Sequence, residues 1–304
     1  MKNEAETMII CDNLIKIYKT GETEVMALQG LDMTVDRNEF VSIIGSSGSG
    51  KSTLLNMLGG LDTPTMGKLS VDGYNMLKIS RSDLAAYKRN VVGFVWQNNA
   101  RNLLPYLTAW ENVELVGLIG GNIDKEYCSD LFDMVGLSNR KRNKPGELSN
   151  GEQQRVAIII SLINKPKLLL ADEPTGSLDT RTSASIVELF NKLRKDLGLT
   201  IVIVTHDPKV AKLTDRVVSI RDGKRASEIL RKEQITAMAN LASFKDEHLE
   251  LAVVDRSGRV QLPDEYLSDL SITANSKVRI EKESGKIAVY PVNISDNRGE
   301  AESN

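Results

Sequence analysis

The sequence predicts an α/β protein: a mostly parallel core sheet, an antiparallel β-subdomain, a helical lobe and a small β-rich C-terminal module. Three features carry that prediction. The apolar run Phe40–Ile44 leads into Gly45-Ser46-Ser47-Gly48-Ser49-Gly50-Lys51-Ser52-Thr53 and then into an apolar stretch at 54–58, the order strand, glycine-rich loop, helix. Strand-length apolar runs then alternate with helical patterns as far as Ile220, which implies parallel strands covered on both faces. The texture changes twice, at 98–144, which carries no strand pattern, and after Phe244, where short alternating segments take over.

The glycine loop fits the phosphate-binding pattern G-x-x-x-x-G-K-[ST] in its required context. Glycines let the backbone wrap closely round a polyphosphate with successive N–H groups pointing inward. The helix that follows adds unpaired N–H groups and the positive end of its dipole. Lys51 is placed to set an ammonium between the β- and γ-phosphates, and Ser52 to offer its hydroxyl to Mg²⁺.

The elements follow in order. Residues 8–11 and 14–18 read as a first strand and its continuation. Residues 25–35 alternate as its antiparallel partner, with a break at Gln29-Gly30. After the loop unit, 68–71 is a strand closed by Asp72-Gly73, 81–89 a short charged helix, and 91–96 a buried strand ending at Gln97. Within 98–144, Thr108 starts a helix with Glu111 in the capping-box position, and 128–135 is a second helix. Leu148-Ser149-Asn150-Gly151-Glu152 opens a helix over 153–164 that Pro166 stops. Residues 167–174 form an apolar strand ending in Asp172-Glu173. An amphipathic helix at 182–197 precedes the β-branched strand 200–205, which ends at His206-Asp207. A last strand at 216–220 leads into a turn at 221–224. Residues 227–244 read as a charged helix and linker. Strands at 249–255, 259–262, 277–282 and 287–292 and a short helix at 263–270 then make a module of about fifty residues, marginal as a lone domain. The expected organisation is a main domain at 1–228 with its helical lobe at about 98–145, a helical linker at 229–247, the module at 248–292 and a disordered tail at 293–304.

Composition excludes several classes. The 304 residues carry 39 Lys and Arg against 41 Asp and Glu, so no global basic field exists to hold nucleic acid by its phosphates. Cys11 and Cys128 lie far apart without metal-ligand spacing and read as free thiols of a reducing compartment. The polar N-terminus is no secretory signal, and no apolar run approaches the ~20 residues of a membrane helix.

Acids at a strand end downstream of a phosphate loop carry the chemistry. Asp172 can hold Mg²⁺ through water, and Glu173 can orient or deprotonate an attacking water. With these residues the chain resembles the ATPase cassettes of ABC transporters, from about Met8 to Glu228. Leu148 to Glu152 is similar to the family's signature loop, Ser177-Leu178-Asp179 to its D-loop, His206 to its switch histidine, Gln97 to its Q-loop glutamine and Tyr18 to its A-loop aromatic. Leu58-Gly59-Gly60-Leu61-Asp62 and Asn102-Leu103-Leu104-Pro105-Tyr106-Leu107-Thr108 resemble the macrolide-exporter and lipoprotein-release group, which includes a cell-division ATPase that signals instead of transporting.

The resemblance implies the P-loop NTPase cassette fold and an ATP sandwiched between two copies of the chain. Tyr18, Gly45, Ser46, Ser47, Gly48, Ser49, Gly50, Lys51, Ser52 and Thr53 would bind it from one copy, and Ser149, Asn150, Gly151, Glu152 and Asp179 would complete the cage. Ser52, Gln97 and Asp172 would hold Mg²⁺, and Glu173, His206 and Gln97 would act in hydrolysis. It further implies a separate membrane permease as partner and a place on the cytoplasmic face of the cell membrane. The implied work is export of a peptide, lipid or drug-like substrate. The alternatives are a permease that signals without transport, or a soluble ABC ATPase. Leu103, Leu104, Tyr106, Leu107 and Trp110 would form the docking surface, since they follow Gln97 and offer much apolar surface.

Three departures from the family pattern stand out. Asn150 replaces the first glycine of the signature, Ile159-Ile160-Ser161 stands where relatives carry Ala-Arg-Ala, and the stretch at 98–101 is about two residues longer. The terminal module resembles the swapped-hairpin fold of AbrB-like regulators through residues 254–263 and Lys277-Val278-Arg279-Ile280. Those relatives often bind DNA, but from Phe244 onward there are 8 Lys and Arg against 12 Asp and Glu, a net of −4. An acidic module suits pairing with its own copy better than phosphate contacts.

Overall fold

The structure, a computed structural model, describes residues 6–21, 23–97, 103–121, 123–231, 248–254, 258–260, 262, 264–273, 276–283 and 286–291. Two compact units emerge, Met1–Val253 and Val254–Asn304.

In the larger unit β1 (Thr7–Thr20) and β2 (Thr23–Asp36) pair antiparallel, and β4 (Met66–Val71) and β5 (Tyr74–Asn75) extend the sheet in the order β2-β1-β4-β5. The break at Gln29-Gly30 is a bulge: Leu31 faces Leu14 and Gln29 faces Ile15, leaving Gly30 over. The second sheet has the order β11-β10-β9-β3-β8-β7-β6. Its members are β3 (Phe40–Ile44), β6 (Val92–Val95), β7 (Leu168–Asp172), β8 (Thr200–Val204), β9 (Arg216–Arg221), β10 (Lys224–Arg231) and β11 (His248–Ala252). β9, β3, β8, β7 and β6 run parallel, and β10 and β11 pair antiparallel at the β9 edge.

Helices cover both faces, so strand positions alternate between two cores. Val202 and Val204 pack with Leu54 and Leu55 of α1 (Lys51–Leu58), on the side of α2 (Arg81–Asn90) and the antiparallel sheet. Ile201 and Ile203 pack with Phe190 and Leu193 of α6 (Thr180–Leu197). The same core takes in α3 (Ala109–Ile119), α4 (Lys125–Met134) and α5 (Asn150–Leu162). Every residue of β8 is buried, as a doubly covered parallel strand requires. A short α7 (Pro208–Ala211) follows β8.

The helical lobe forms as its capping residues dictate. Thr108 and Glu111 make the capping box of α3. Asp124 accepts from the Tyr127 N–H, so α4 begins three residues before the expected Cys128. Leu103 is a correction to the docking patch, since its side chain is buried in the lobe core. Trp110 is half-buried and stacks on Phe132, with ring centroids 5.9 Å apart. Leu104 and Tyr106 remain exposed.

The helix expected from Ser227 does not form over Ser227 to Arg231. Asp222 (φ 49°) and Gly223 (φ 70°) make a two-residue hairpin loop with both φ positive, which turns the chain straight back onto the edge of β9. The ladder then outweighs local helix propensity. β11 pairs with β10, Ser227 opposite Ala252 and Arg231 opposite His248, so residues 248–252 belong to the main sheet and not to the terminal module. The remaining expected linker, 232–247, and the expected disordered tail lie outside the described residues. The smaller unit holds a bridge between Val254 and Val260, α8 (Asp264–Asp269), and a hairpin of β12 (Val278–Glu283) and β13 (Lys286–Pro291).

Two charge nodes tie the larger unit together. Asp72 accepts from Lys167 at 2.8 Å and pairs with Arg37 at 2.7 Å, joining the antiparallel sheet to the start of β7. Arg216 donates to both carboxylate oxygens of Glu39 (2.6 and 2.8 Å), to Glu228 (2.5 Å) and to the Thr34 carbonyl (2.6 Å). It thereby links β2, β9, β10 and the turn before β3.

Candidate active site

The parallel strands place their C-terminal ends at one edge, where crevices of doubly wound sheets bind ligands. Gly45 follows β3, Asp172 ends β7, His206 lies two residues past β8 and Gln97 two past β6. A cleft of about 460 Å³ opens there. Its walls include Gly45, Ser47, Gly48, Gly50, Lys51, Ser52 and Thr53 together with Gln97, Asp172, Glu173 and His206. Four separate stretches of sequence thus meet, as their spacing on alternating strands requires.

The loop between β3 and α1 needs its glycines. A side chain at Gly45 would meet the Ile220 carbonyl at 2.2 Å, and Gly50 caps α1 in the left-handed region, where a Cβ would meet the Ala27 carbonyl at 2.5 Å. Ser46, Ser47 and Gly48 stand exposed at the rim, while the Ser49 hydroxyl is buried without a partner. Lys51 folds over the loop, donating to the carbonyls of Gly45 and Ser46 at 2.8 Å each. An anion in the cradle would offer that ammonium a stronger acceptor than two neutral carbonyls.

The two acids behave differently. Burial pushes the Asp172 carboxyl above its ordinary range, partly opposed by a hydrogen bond from the Ser52 hydroxyl, and nearby Glu173 raises it further. A divalent cation beside Ser52 and Asp172 would relieve that cost. The donor set is oxygen-rich and incomplete, the kind Mg²⁺ accepts when waters and phosphate oxygens fill its remaining positions. Among the described residues no group of three or more His, Cys, Asp and Glu forms a closed metal cage.

Glu173 sits at φ 47°, unusual for a residue with a side chain, and its N–H is held by the Val204 carbonyl at 2.9 Å. One carboxylate oxygen meets His206 Nδ1 at 2.9 Å; the other is buried with no partner. Such an orphaned acceptor, in strained backbone on a residue that lines the cleft, suits a water or its proton.

The other expected residues stand elsewhere. Ser149 caps α5, accepting from the Glu152 N–H, while Glu152 returns two bonds to Ser149 and pairs with Arg140 at 2.9 Å. Asn150 is the first residue of α5 and has no positive φ, so its backbone does not need the glycine it replaces. A Cβ at Gly151 would meet Thr182 at 2.8 Å, and Asp179 caps α6 through the N–H groups of Arg181 and Thr182. Asn150 and Ser149 are exposed, and none of these residues lines the cleft. Tyr18 does not line it either, but it lies directly across the strand pair from Val25, which does.

Val25, Met26 and Ala27 form the part of the cleft that the sequence reading missed. Val25 and Met26 are exposed despite being apolar. A signal existed: four consecutive apolar residues, Val25 to Leu28, break the period-2 pattern of a half-buried strand. Ile159, expected as a departure, is fully buried in the lobe core, and Ser161 donates to the Ile158 carbonyl, so both serve packing.

Comparison with known proteins agrees with this site. The family model described as ABC transporter matches residues 28–176. An uncharacterized ABC transporter ATP-binding protein of Bacillus subtilis, YvrO, is 46% identical over 220 residues, covering 71% of this chain and 95% of its own length. The macrolide export ATP-binding/permease protein MacB of Rhodopirellula baltica is 42% identical over 247 residues, 80% of this chain. The chain spans about a third of the length of such MacB relatives, 36% in that case. Among solved structures, an ATP-binding cassette captured as a dimer in a post-hydrolysis state with ADP and Pi shares 40% identity and a TM-score of 0.65, covering 73% of this chain and 97% of its own. CbiO1 of Clostridium perfringens, part of an ABC transporter complex, is 26% identical with a TM-score of 0.68, covering 76% and 91%.

Proposed function

The chain belongs to the ABC transporter family, and from that premise we propose that it is the ATP-hydrolysing subunit of a transporter whose membrane-spanning permease is a separate partner. One observation carries the reading: a single cleft gathers the phosphate loop, Gln97, Asp172, Glu173 and His206. ATP enters with its phosphates in the loop. Ser52, Asp172 and Gln97 would hold Mg²⁺, which when bound would supply neutralising charge to the phosphates. Lys51 leaves its carbonyls for the β- and γ-phosphates. Glu173 orients the attacking water and takes its proton on the unpaired oxygen, and His206 turns from Glu173 toward the γ-phosphate. Ser149, Asn150 and Gly151 act on the ATP held by a second copy, with Asp179 beside them, because in their own chain they lie off the cleft.

The work driven is export, of a peptide, lipid or drug-like molecule, by analogy with the name of the MacB relatives. No described helix is long and apolar enough to cross a membrane, and the chain acts at the cytoplasmic face, docked on its permease. Docking uses Leu104 and Tyr106, the latter 85% exposed. Leu104→Glu is expected to leave the chain folded and its ATPase activity intact but unresponsive to the permease. Full stimulation of that variant by reconstituted permease would refute the surface.

The terminal unit, AbrB-like in sequence, pairs with its own copy. Ile280, Ile287, Tyr266 and Leu270 are exposed in a unit of about fifty residues, too small to bury them alone. The tie would raise the effective concentration of one cassette for the other. Because β11 belongs to the main sheet, the informative truncation ends after Val253. Activity of that truncation is expected to fall on dilution more steeply than that of the full chain, and equal dilution curves would remove the tether.

A further inference from the structure

Asp62 belongs to no phosphate- or metal-binding element, yet it is the hub of a tight cluster beside the cleft. Its Oδ1 accepts from Lys16 at 2.5 Å and from the Thr63 N–H at 2.7 Å, and its Oδ2 accepts from the Tyr18 hydroxyl at 2.7 Å. Lys16 also donates to the Thr63 carbonyl at 2.9 Å, and its ammonium lies 4.7 Å from the centre of the Tyr18 ring. The Thr53 hydroxyl also hydrogen-bonds to the Tyr18 oxygen. Thr53 and Val25, the cross-strand neighbour of Tyr18, both line the cleft.

A tyrosine on a strand normally turns freely about its side-chain bonds when this exposed. Here the hydroxyl has two partners and one ring face has a cation, so the ring is fixed at the rim. Lys16 is 8% exposed, which strengthens its contact with the ring relative to a solvated one. Tyr18 itself is 37% exposed, leaving ring surface open. A cation against one face draws electron density from the ring, which favours stacking of an electron-rich purine on the other.

We propose that Asp62, acting with Lys16, is a positioning residue for the nucleotide base: it presets the Tyr18 ring as the platform on which the purine of ATP stacks. This rests on the ATP-binding reading above. The device contributes to the base alone, because of its members only Thr53 lines the cleft that holds the phosphate loop.

The test is calorimetric binding of Mg·ATP and of Mg·tripolyphosphate, which lacks base and sugar, to the full chain. Four forms are compared: the parent, Asp62→Asn, Tyr18→Ser and the double variant. Asp62→Asn is expected to weaken ATP roughly five- to thirtyfold, the scale of one lost aromatic–base stack, and to leave tripolyphosphate within about twofold. In the Tyr18→Ser background the same change is expected to do nothing further. Retained tripolyphosphate binding shows that the loop is folded in every variant. Equal weakening of both ligands, no weakening of ATP, or an undiminished effect of Asp62→Asn without the ring would each overturn the inference. A parent chain that binds neither ligand would instead overturn the ATP-binding reading itself.

Discussion

A Glu173→Gln chain is expected to bind Mg·ATP as the parent does and to turn it over roughly 10²–10⁴ times more slowly. The amide keeps the volume and the left-handed backbone that the site already tolerates at φ 47°. It removes the one property the arrangement singles out, a buried carboxylate oxygen with no partner on a residue that lines the cleft. Asp172 cannot substitute, since its carboxylate is already engaged by Ser52. Single-turnover and steady-state phosphate release would both report the loss, while ATP affinity from titration stays within a few-fold. An unchanged turnover number would remove Glu173 from the proton-transfer role.

The largest expected effect on stability comes from Arg216. Replacing it with Met is expected to destabilise the main unit by about 3–5 kcal/mol, because two carboxylates, Glu39 and Glu228, lose their common counter-charge in a nearly closed site. Burial alone would lower the Arg216 pKa, but hydrogen bonds and charge from Glu39 and Glu228 outweigh it and raise it, so the guanidinium is charged at every relevant pH. The bidentate pair with Glu39 also holds the turn that launches β3 and hence the phosphate loop. Urea unfolding would read the change as a shift in midpoint at constant slope. A loss under about 1 kcal/mol would mean that the neighbouring Arg225, 3.8 Å from Glu228, takes over the charge.

Much of the fold was legible because its signals are local. The strand, loop and helix at 40–58 follow from one apolar run and a glycine pattern, and Thr108 with Glu111 marks the start of α3 at Ala109. The convergence of Gln97, Asp172 and His206 was legible too, since each stands at or just past the C-terminal end of a strand of the same parallel sheet. What failed depended on pairing and packing partners and not on local propensity. Ser227 to Arg231 have helix-compatible residues, but Asp222-Gly223 delivers them to the edge of β9. Leu103 looked like surface and is core, because α3 and α5 fold over it. Val25 and Met26 looked like ordinary strand and are cleft wall, because β2 overhangs the loop where Gly50 approaches Ala27.

If the cleft is half of a site, Ser149 and Asn150 of a second copy complete it. A disulfide cross-link between copies tests it most directly. Two Glu173→Gln chains are mixed, one carrying Ser47→Cys and the other Asn150→Cys, both exposed positions. The native thiols do not compete, since Cys11 and Cys128 are buried and burial pushes them up to about 12 and about 11. With Mg·ATP under mild oxidation a cross-linked pair containing one of each chain is expected, lost when ADP replaces ATP. No cross-link with ATP, or an equal yield with ADP, would contradict it.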